Sequence, residues 1–233
     1  YQSTSLFTGN RLPVGLDYMR FGGEAWNRFI TDRHKENISD KSENEIAGYV
    51  DFRQAIGSHL TIDAGIRADH HTVSGTEWIP QVGLSVQLPH NASLKAMASK
   101  GFRNPTIREL YMFRPANPDL LPERLWNYEL SYSQRLFDQT FYYGVNLFYI
   151  NGDNMIQTIR TDGRPLNVNT GKIENWGAEA SIAYHIHPTW NLTANYSWLH
   201  MEHPLVAAPE HKLYAGIDYT KGKWNFSTGI QYV

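Results

Sequence analysis

Apolar and polar residues alternate one by one along most of this chain from about Glu45 onward. Within residues 140–150, Phe141, Tyr143, Val145, Leu147 and Tyr149 fall on one face, with Gly144 and Asn146 on the other. Within residues 172–187, Trp176, Ala178, Ala180, Ile182, Tyr184 and Ile186 alternate with Asn175, Gly177, Glu179, Ser181, Ala183 and His185. The same split sets Leu60, Ile62, Ala64 and Ile66 against Thr61, Asp63, Gly65 and Arg67, and Trp224, Phe226, Thr228, Ile230 and Tyr232 against Asn225, Ser227, Gly229 and Gln231. A period of two turns successive side chains to opposite faces of a strand, so the pattern predicts strands whose two sides meet different solvents.

About eleven such strands are predicted, over residues 14–28, 45–56, 59–72, 78–88, 92–101, 124–136, 140–151, 172–187, 190–202, 210–220 and 223–233. Many reach ten residues or more; soluble strands average about five or six, whereas a tilted strand crossing a bilayer needs about nine to eleven. Tight turns fall near Gly57-Ser58, Pro89-His90-Asn91, Phe137-Asp138-Gln139, Pro188-Thr189 and Lys221-Gly222. The links between them, 29–44, 73–77, 102–123, 152–171 and 203–209, are mostly longer. Short turns on one rim and long loops on the other belong to outer-membrane barrels. The fold class predicted is therefore all-β, an antiparallel up-and-down transmembrane β-barrel. Lipid satisfies no polar group, so the apolar face points outward and the face bearing Asp63, Arg67 and Glu179 lines the lumen.

Composition narrows this further. The chain has 233 residues, 41% of them hydrophobic and 19% charged, which excludes disorder and a helical membrane protein. No apolar run approaches the roughly twenty residues of a spanning helix. The chain begins at Tyr1 without a signal-like apolar core, so it is expected to be a mature or excised piece. A net charge of -2 gives no reason to expect nucleic acid as a partner, and the absence of cysteine excludes disulfides, thiolate metal sites and cysteine nucleophiles. Aromatic residues make up 13% of the chain, and Trp176, Trp190, Trp198 and Trp224 suit girdles at the membrane interfaces better than ligand-stacking platforms. The sequons at Asn37, Asn91, Asn191, Asn195 and Asn225 fall mostly in or beside predicted strands or turns, where a glycan is badly placed.

One irregular segment interrupts the strands. KGFRNPTIRELYMF, residues 100–113, resembles the "GFR-x-P-[ST]-x-x-EL" segment in the barrels of TonB-dependent outer-membrane receptors, and ANPDLLPERLWNYEL resembles the "NPDLKPE…NYELG" segment that follows it. LFYINGDNMIQTI is similar to the strand ending in "FY…D-x-[LM]-I", NVNTGKIENWGAEASIAY to the "N-x-G-x-x-x-x-x-G-x-E" strand, and APEHKLYAGIDY to the "P-x-HK" strand opener. These matches keep the family's order over most of the chain. They cover barrel only: neither a plug, a TonB-box-like segment nor a terminal aromatic strand is read here. The resemblance thus implies one domain, residues 1–233, forming about half of a barrel of about 22 strands. By itself such a piece exposes two unpaired edges, and has to close as a smaller barrel, pair with a second copy or rely on detergent.

The resemblance implies binding and gating rather than catalysis, and no nucleophile-base pair, phosphate-cradling glycine loop or metal-protease motif opposes that. No catalytic residue and no cofactor is expected. Two roles remain open for the irregular segment. In one, Arg103, Pro105, Arg108, Glu109 and Glu123 clamp it over the mouth, with Tyr111, Met112 and Phe113 packed beneath. In the other, Arg103, Arg108, Tyr111 and Arg114 meet an anionic ligand, since guanidinium forks suit carboxylates. No metal site is expected; His200, His203 and His211, which flank one outer link, are the weak candidates. The family implies outer-membrane lipid as surroundings, the TonB energy-coupling complex as a partner through a plug, and an iron-siderophore, haem or corrinoid as cargo. Two other classes stand beside it: a passive structural or adhesive barrel, and a soluble all-β carbohydrate-binding module.

Overall fold

Among the described residues, twelve strands run up and down in sequence order, each hydrogen-bonded only to its neighbours in the chain. They are β1 (Gln2–Thr4), β2 (Asn10–Arg28), β3 (Lys35–Ile56), β4 (Leu60–His71), β5 (Gly75–Leu88), β6 (Ala92–Arg103), β7 (Glu123–Leu136), β8 (Phe141–Thr161), β9 (Arg164–His187), β10 (Trp190–Met201), β11 (His211–Lys221) and β12 (Trp224–Tyr232). This computed structural model describes residues 2–112, 115–204 and 208–233. Among them there is no second sheet, and β1 and β12 remain open edges.

The registers join the apolar rows into one band. Val50 lies opposite Ile66, Ala64 opposite Val82, Leu84 opposite Ala96 and Leu130 opposite Leu147. Leu147 in turn faces Ala178, Ile182 faces Ala194 and Ala215 faces Ile230. These side chains are not hidden by protein: Leu16 is 83% and Leu147 49% exposed. Such a band is stable only against hydrocarbon, which rules out a sandwich burying the Phe141 to Tyr149 face. Trp190 and Trp224 open their strands at the short-turn rim, while Trp176 and Trp198 lie toward the opposite end of the band, as interface girdles do. Leu147→Arg is expected to destabilise the assembled wall by about 2–4 kcal/mol, the cost of a cation near the bilayer midplane. A denaturant titration of the full-length protein in vesicles measures it.

The opposite face is wet and internally bonded. Arg67 donates to Asp17 at 2.5 Å and to Asp69 at 2.9 Å, Gln81 to Asp51 at 2.7 Å, and the Ser131 hydroxyl to Asn146 at 2.7 Å.

Two expectations need correction. The described residues form twelve strands where about eleven are expected, because Gln2–Thr4 pairs with β2. More consequentially, the links 29–44 and 152–171 are not irregular loops. The ladder of β2 and β3 continues through Gly23 opposite Lys41 to Arg28 opposite Lys35, and that of β8 and β9 through Thr158 opposite Asn167 to Thr161 opposite Arg164. Once a hairpin rises above the bilayer both faces meet water, so the apolar alternation lapses while the backbone pairing persists. One signal was present: Asp162-Gly163, with φ of 51° and 76°, forms the two-residue turn that an Asp-Gly pair favours.

Candidate functional site

The irregular segment, residues 104–122, leaves β6 and returns to β7 at the outer rim, and its ends are fixed by one guanidinium. Arg103 and Glu123 are direct partners across the β6–β7 ladder. The Arg103 Nε donates to Glu123 Oε2 at 2.6 Å, while Nη1 and Nη2 donate to the two Glu109 oxygens at 2.8 and 3.0 Å. Pro105, buried, sits where the chain leaves the ladder and an N–H would have no strand partner. Thr106 and Glu109 then form a reciprocal cap. The Thr106 N–H and hydroxyl donate to Glu109 Oε2 at 2.8 and 2.9 Å, and the Glu109 N–H returns to the Thr106 hydroxyl at 3.2 Å. This opens a π-helical turn, Arg108–Met112. Leu110, fully buried, and Leu120, 2% exposed, give the segment a small core of its own with Pro122.

The segment is tied to both long hairpins. On the β8–β9 side, the Asn117 side chain donates to the Asn167 carbonyl at 2.8 Å, and the Asn167 side chain donates to the Glu109 carbonyl at 3.0 Å. The Asn169 side-chain oxygen accepts from the Leu121 N–H at 2.8 Å, and its nitrogen donates to the carbonyls of Leu121 and Asn154 at 2.8 and 2.7 Å. Glu123 accepts from the Ile156 N–H at 2.8 Å. On the β2–β3 side, the Asn104 side chain donates to Glu45 at 3.2 Å, and the Lys41 ammonium lies 5.3 Å from the centre of the Tyr111 ring. Between the segment and β2–β3 lies a cavity of about 670 Å3, walled by Phe21, Gly23, Ala25, Phe102, Ile107 and Met112 among others.

Burial pushes the Glu109 carboxyl up, but the Arg103 guanidinium and the Thr106 donors more than offset this and hold it below the ordinary glutamate value. Tyr111 is pushed up, first by burial and then by the Glu43 charge. A carboxyl lowered on docking contributes stability that is present above its free value and lost as pH falls through the lowered one. The docked segment is therefore expected to loosen only below the ordinary glutamate range. Hydrogen exchange of residues 104–112 against pH reads this, and Glu109→Gln is expected to flatten the acid limb.

The anticipated residues separate into three groups. Arg103, Glu109 and Glu123 come together, and each nitrogen of the Arg103 fork donates to a carboxylate. Arg108 lines the cavity and Tyr111 turns toward Lys41, while Arg114 and Phe113 lie outside the described residues. The histidines do not converge. His200 packs at a tilt against Trp176, ring centres 4.2 Å apart, and lies 3.8 Å from Glu202, His211 bonds the Tyr196 hydroxyl at 2.8 Å, and His203 is exposed. Among the described residues no three His, Asp or Glu side chains are placed to hold a metal. Sequence reasoning missed Asn117, Asn167, Asn169, Asn104 and Glu45. Only the two-residue spacing of Asn167 and Asn169, which puts them on one face of a strand, hinted at them.

These features define a class: outer-membrane barrel wall with an apolar outside, a polar inside and a mouth partly roofed by a docked segment. The whole chain, residues 1–233, matches the family model for the TonB dependent receptor-like β-barrel, and it belongs to that family. It is 24% identical over 261 residues to the iron-regulated outer membrane virulence protein of Vibrio cholerae serotype O1, covering 94% of this chain and 39% of that protein. The siderophore receptor PirA from Pseudomonas aeruginosa superposes with a TM-score of 0.81 at 18% identity, over 99% of this chain and 44% of that one. The copper transporter OprC does so with a TM-score of 0.80 at 14% identity, over 97% and 40%. The chain thus spans well under half the length of these relatives. The family is one of outer-membrane receptors and transporters, not enzymes.

Proposed function

We propose that this chain is part of the barrel of an active transporter that captures a scarce, large nutrient outside the cell and passes it inward, driven by the TonB complex through a plug held in the lumen. Iron bound to a siderophore is the proposed cargo, ahead of haem or a corrinoid. The names of the iron-regulated Vibrio protein and of PirA support iron. A similar wall occurs in OprC, a copper transporter.

The observation that carries a gating reading is the docking of residues 104–122. Arg103 donates three hydrogen bonds to Glu109 and Glu123, so an anion bound there competes with the segment's own anchorage. Arg103, Pro105, Glu109 and Glu123 are therefore assigned to the clamp, and cargo is assigned to the side of the segment that faces β2–β3, near Arg108 and Tyr111. Growth of a deletion strain on single iron-chelate, haem or corrinoid sources tests the cargo. Loss on ferric siderophores alone supports the proposal; unchanged growth there with loss on a corrinoid overturns it.

A further inference from the structure

The 104–122 segment is held at both ends of the mouth, and the holding residues on one side are two uncharged side chains on a barrel strand. Asn167 is 2% exposed and Asn169 lies two residues on, facing the same way. Between them they bond Glu109, Asn117 and Leu121, residues from the beginning, middle and end of the segment. Asn167 is itself fixed from behind by the Thr158 hydroxyl, which donates to its side-chain oxygen at 2.8 Å, and Asn169 by the bulged Asn154, whose φ is 56°. An amide can donate and accept at once, and here both capacities are used, so each asparagine fixes the segment in position and in rotation. At its other end the segment meets β2–β3 through Asn104 with Glu45 and through Tyr111 with Lys41, beside the cavity of about 670 Å3.

We propose that Asn167 and Asn169 are positioning residues for the gate, making residues 104–122 a crossbar through which the β8–β9 hairpin sets the shape of the cavity beside β2–β3. This rests on the gating role given above for the same segment. The two hairpins share no ladder with each other and are joined through the wall only by way of β4–β7, so the segment, through its hydrogen bonds and the Lys41–Tyr111 contact, is the short connection between them at the rim. A cargo that grips the β8–β9 tip then tightens or opens the far pocket without touching it.

Spin labels at Ser42→Cys on β3 and Met112→Cys on the segment, in the full-length protein in lipid nanodiscs, report the far end directly. Asn167→Ala with Asn169→Ala is expected to replace one narrow distance distribution with a broad one, while the denaturant midpoint of the wall stays put. Asn117→Ala, which alters the segment and leaves every strand intact, is expected to act in the same direction and guards against a misassembled barrel. A Ser42–Met112 distribution unchanged in both variants overturns the crossbar. The measurement needs no cargo, so its outcome is separate from that of the growth test.

Discussion

Arg103→Ala is expected to free the 104–122 segment while leaving the barrel wall assembled. The substitution removes three charge-assisted hydrogen bonds and leaves Glu109 and Glu123 facing each other without a cation. Bonds to charged groups contribute about 1.5–3 kcal/mol each in favourable settings. The Arg103 side chain is 43% exposed, however, and its partners 23% and 16%, so solvent screening reduces the sum. A net loss of about 2 kcal/mol is expected, which lowers the docked-to-undocked ratio roughly thirtyfold. Protease cutting or hydrogen exchange within residues 104–122 of the full-length protein measures it. Arg103→Lys is expected to recover little, because an ammonium cannot span Glu109 with two parallel bonds while also reaching Glu123. Full docking in the lysine variant would show that charge alone, and not the fork, makes the clamp.

Gly177→Ala is expected to damage the wall itself rather than the docked segment. A methyl group built on Gly177 collides with the Trp198 carbonyl oxygen across the β9–β10 ladder, and with the Phe148 ring at 2.7 Å. The ring can turn, but the carbonyl belongs to a hydrogen-bonded strand and moves only if the register yields. Overpacking of this kind costs about 1–3 kcal/mol, and in a barrel the penalty falls on closure as well as on stability. Reduced recovery of folded protein from the outer membrane is the expected readout. Gly171, the other glycine of the same motif, sits beside the bulge of β8, where a methyl would meet the Met155 side chain at 2.6 Å and its carbonyl at 2.9 Å. The motif therefore marks two close backbone approaches, and neither glycine has a positive φ.

Where lipid touched the chain, the sequence was readable. The bilayer demands an apolar face and the lumen tolerates a polar one, so strands such as β4, β8 and β10 were written as strict alternation, and the turn rims followed from their spacing. Above the membrane that demand ends. The rising parts of β2–β3 and β8–β9 carry mixed residues on both faces, and only backbone pairing keeps them in register. That pairing leaves no mark on the apolar periodicity.

The site divides the same way. Arg103, Glu109 and Glu123 were legible because they stand in two short motifs that bracket the segment, Arg103 and Glu109 in the first and Glu123 in the second. Asn167 and Asn169 were not, because an asparagine on a strand has no directional meaning until its partners are known.

By itself the sequence determined which segments cross the membrane, which face each presents and where the roofing segment begins and ends, since those follow from local preference and from the solvent on each side. The tertiary structure alone decided that two of the outer links are paired hairpins and that the segment hangs between them. That arrangement depends on contacts about fifty residues apart, between Asn117 and Asn167 and between Asn104 and Glu45, and no local pattern encodes a partner at that distance.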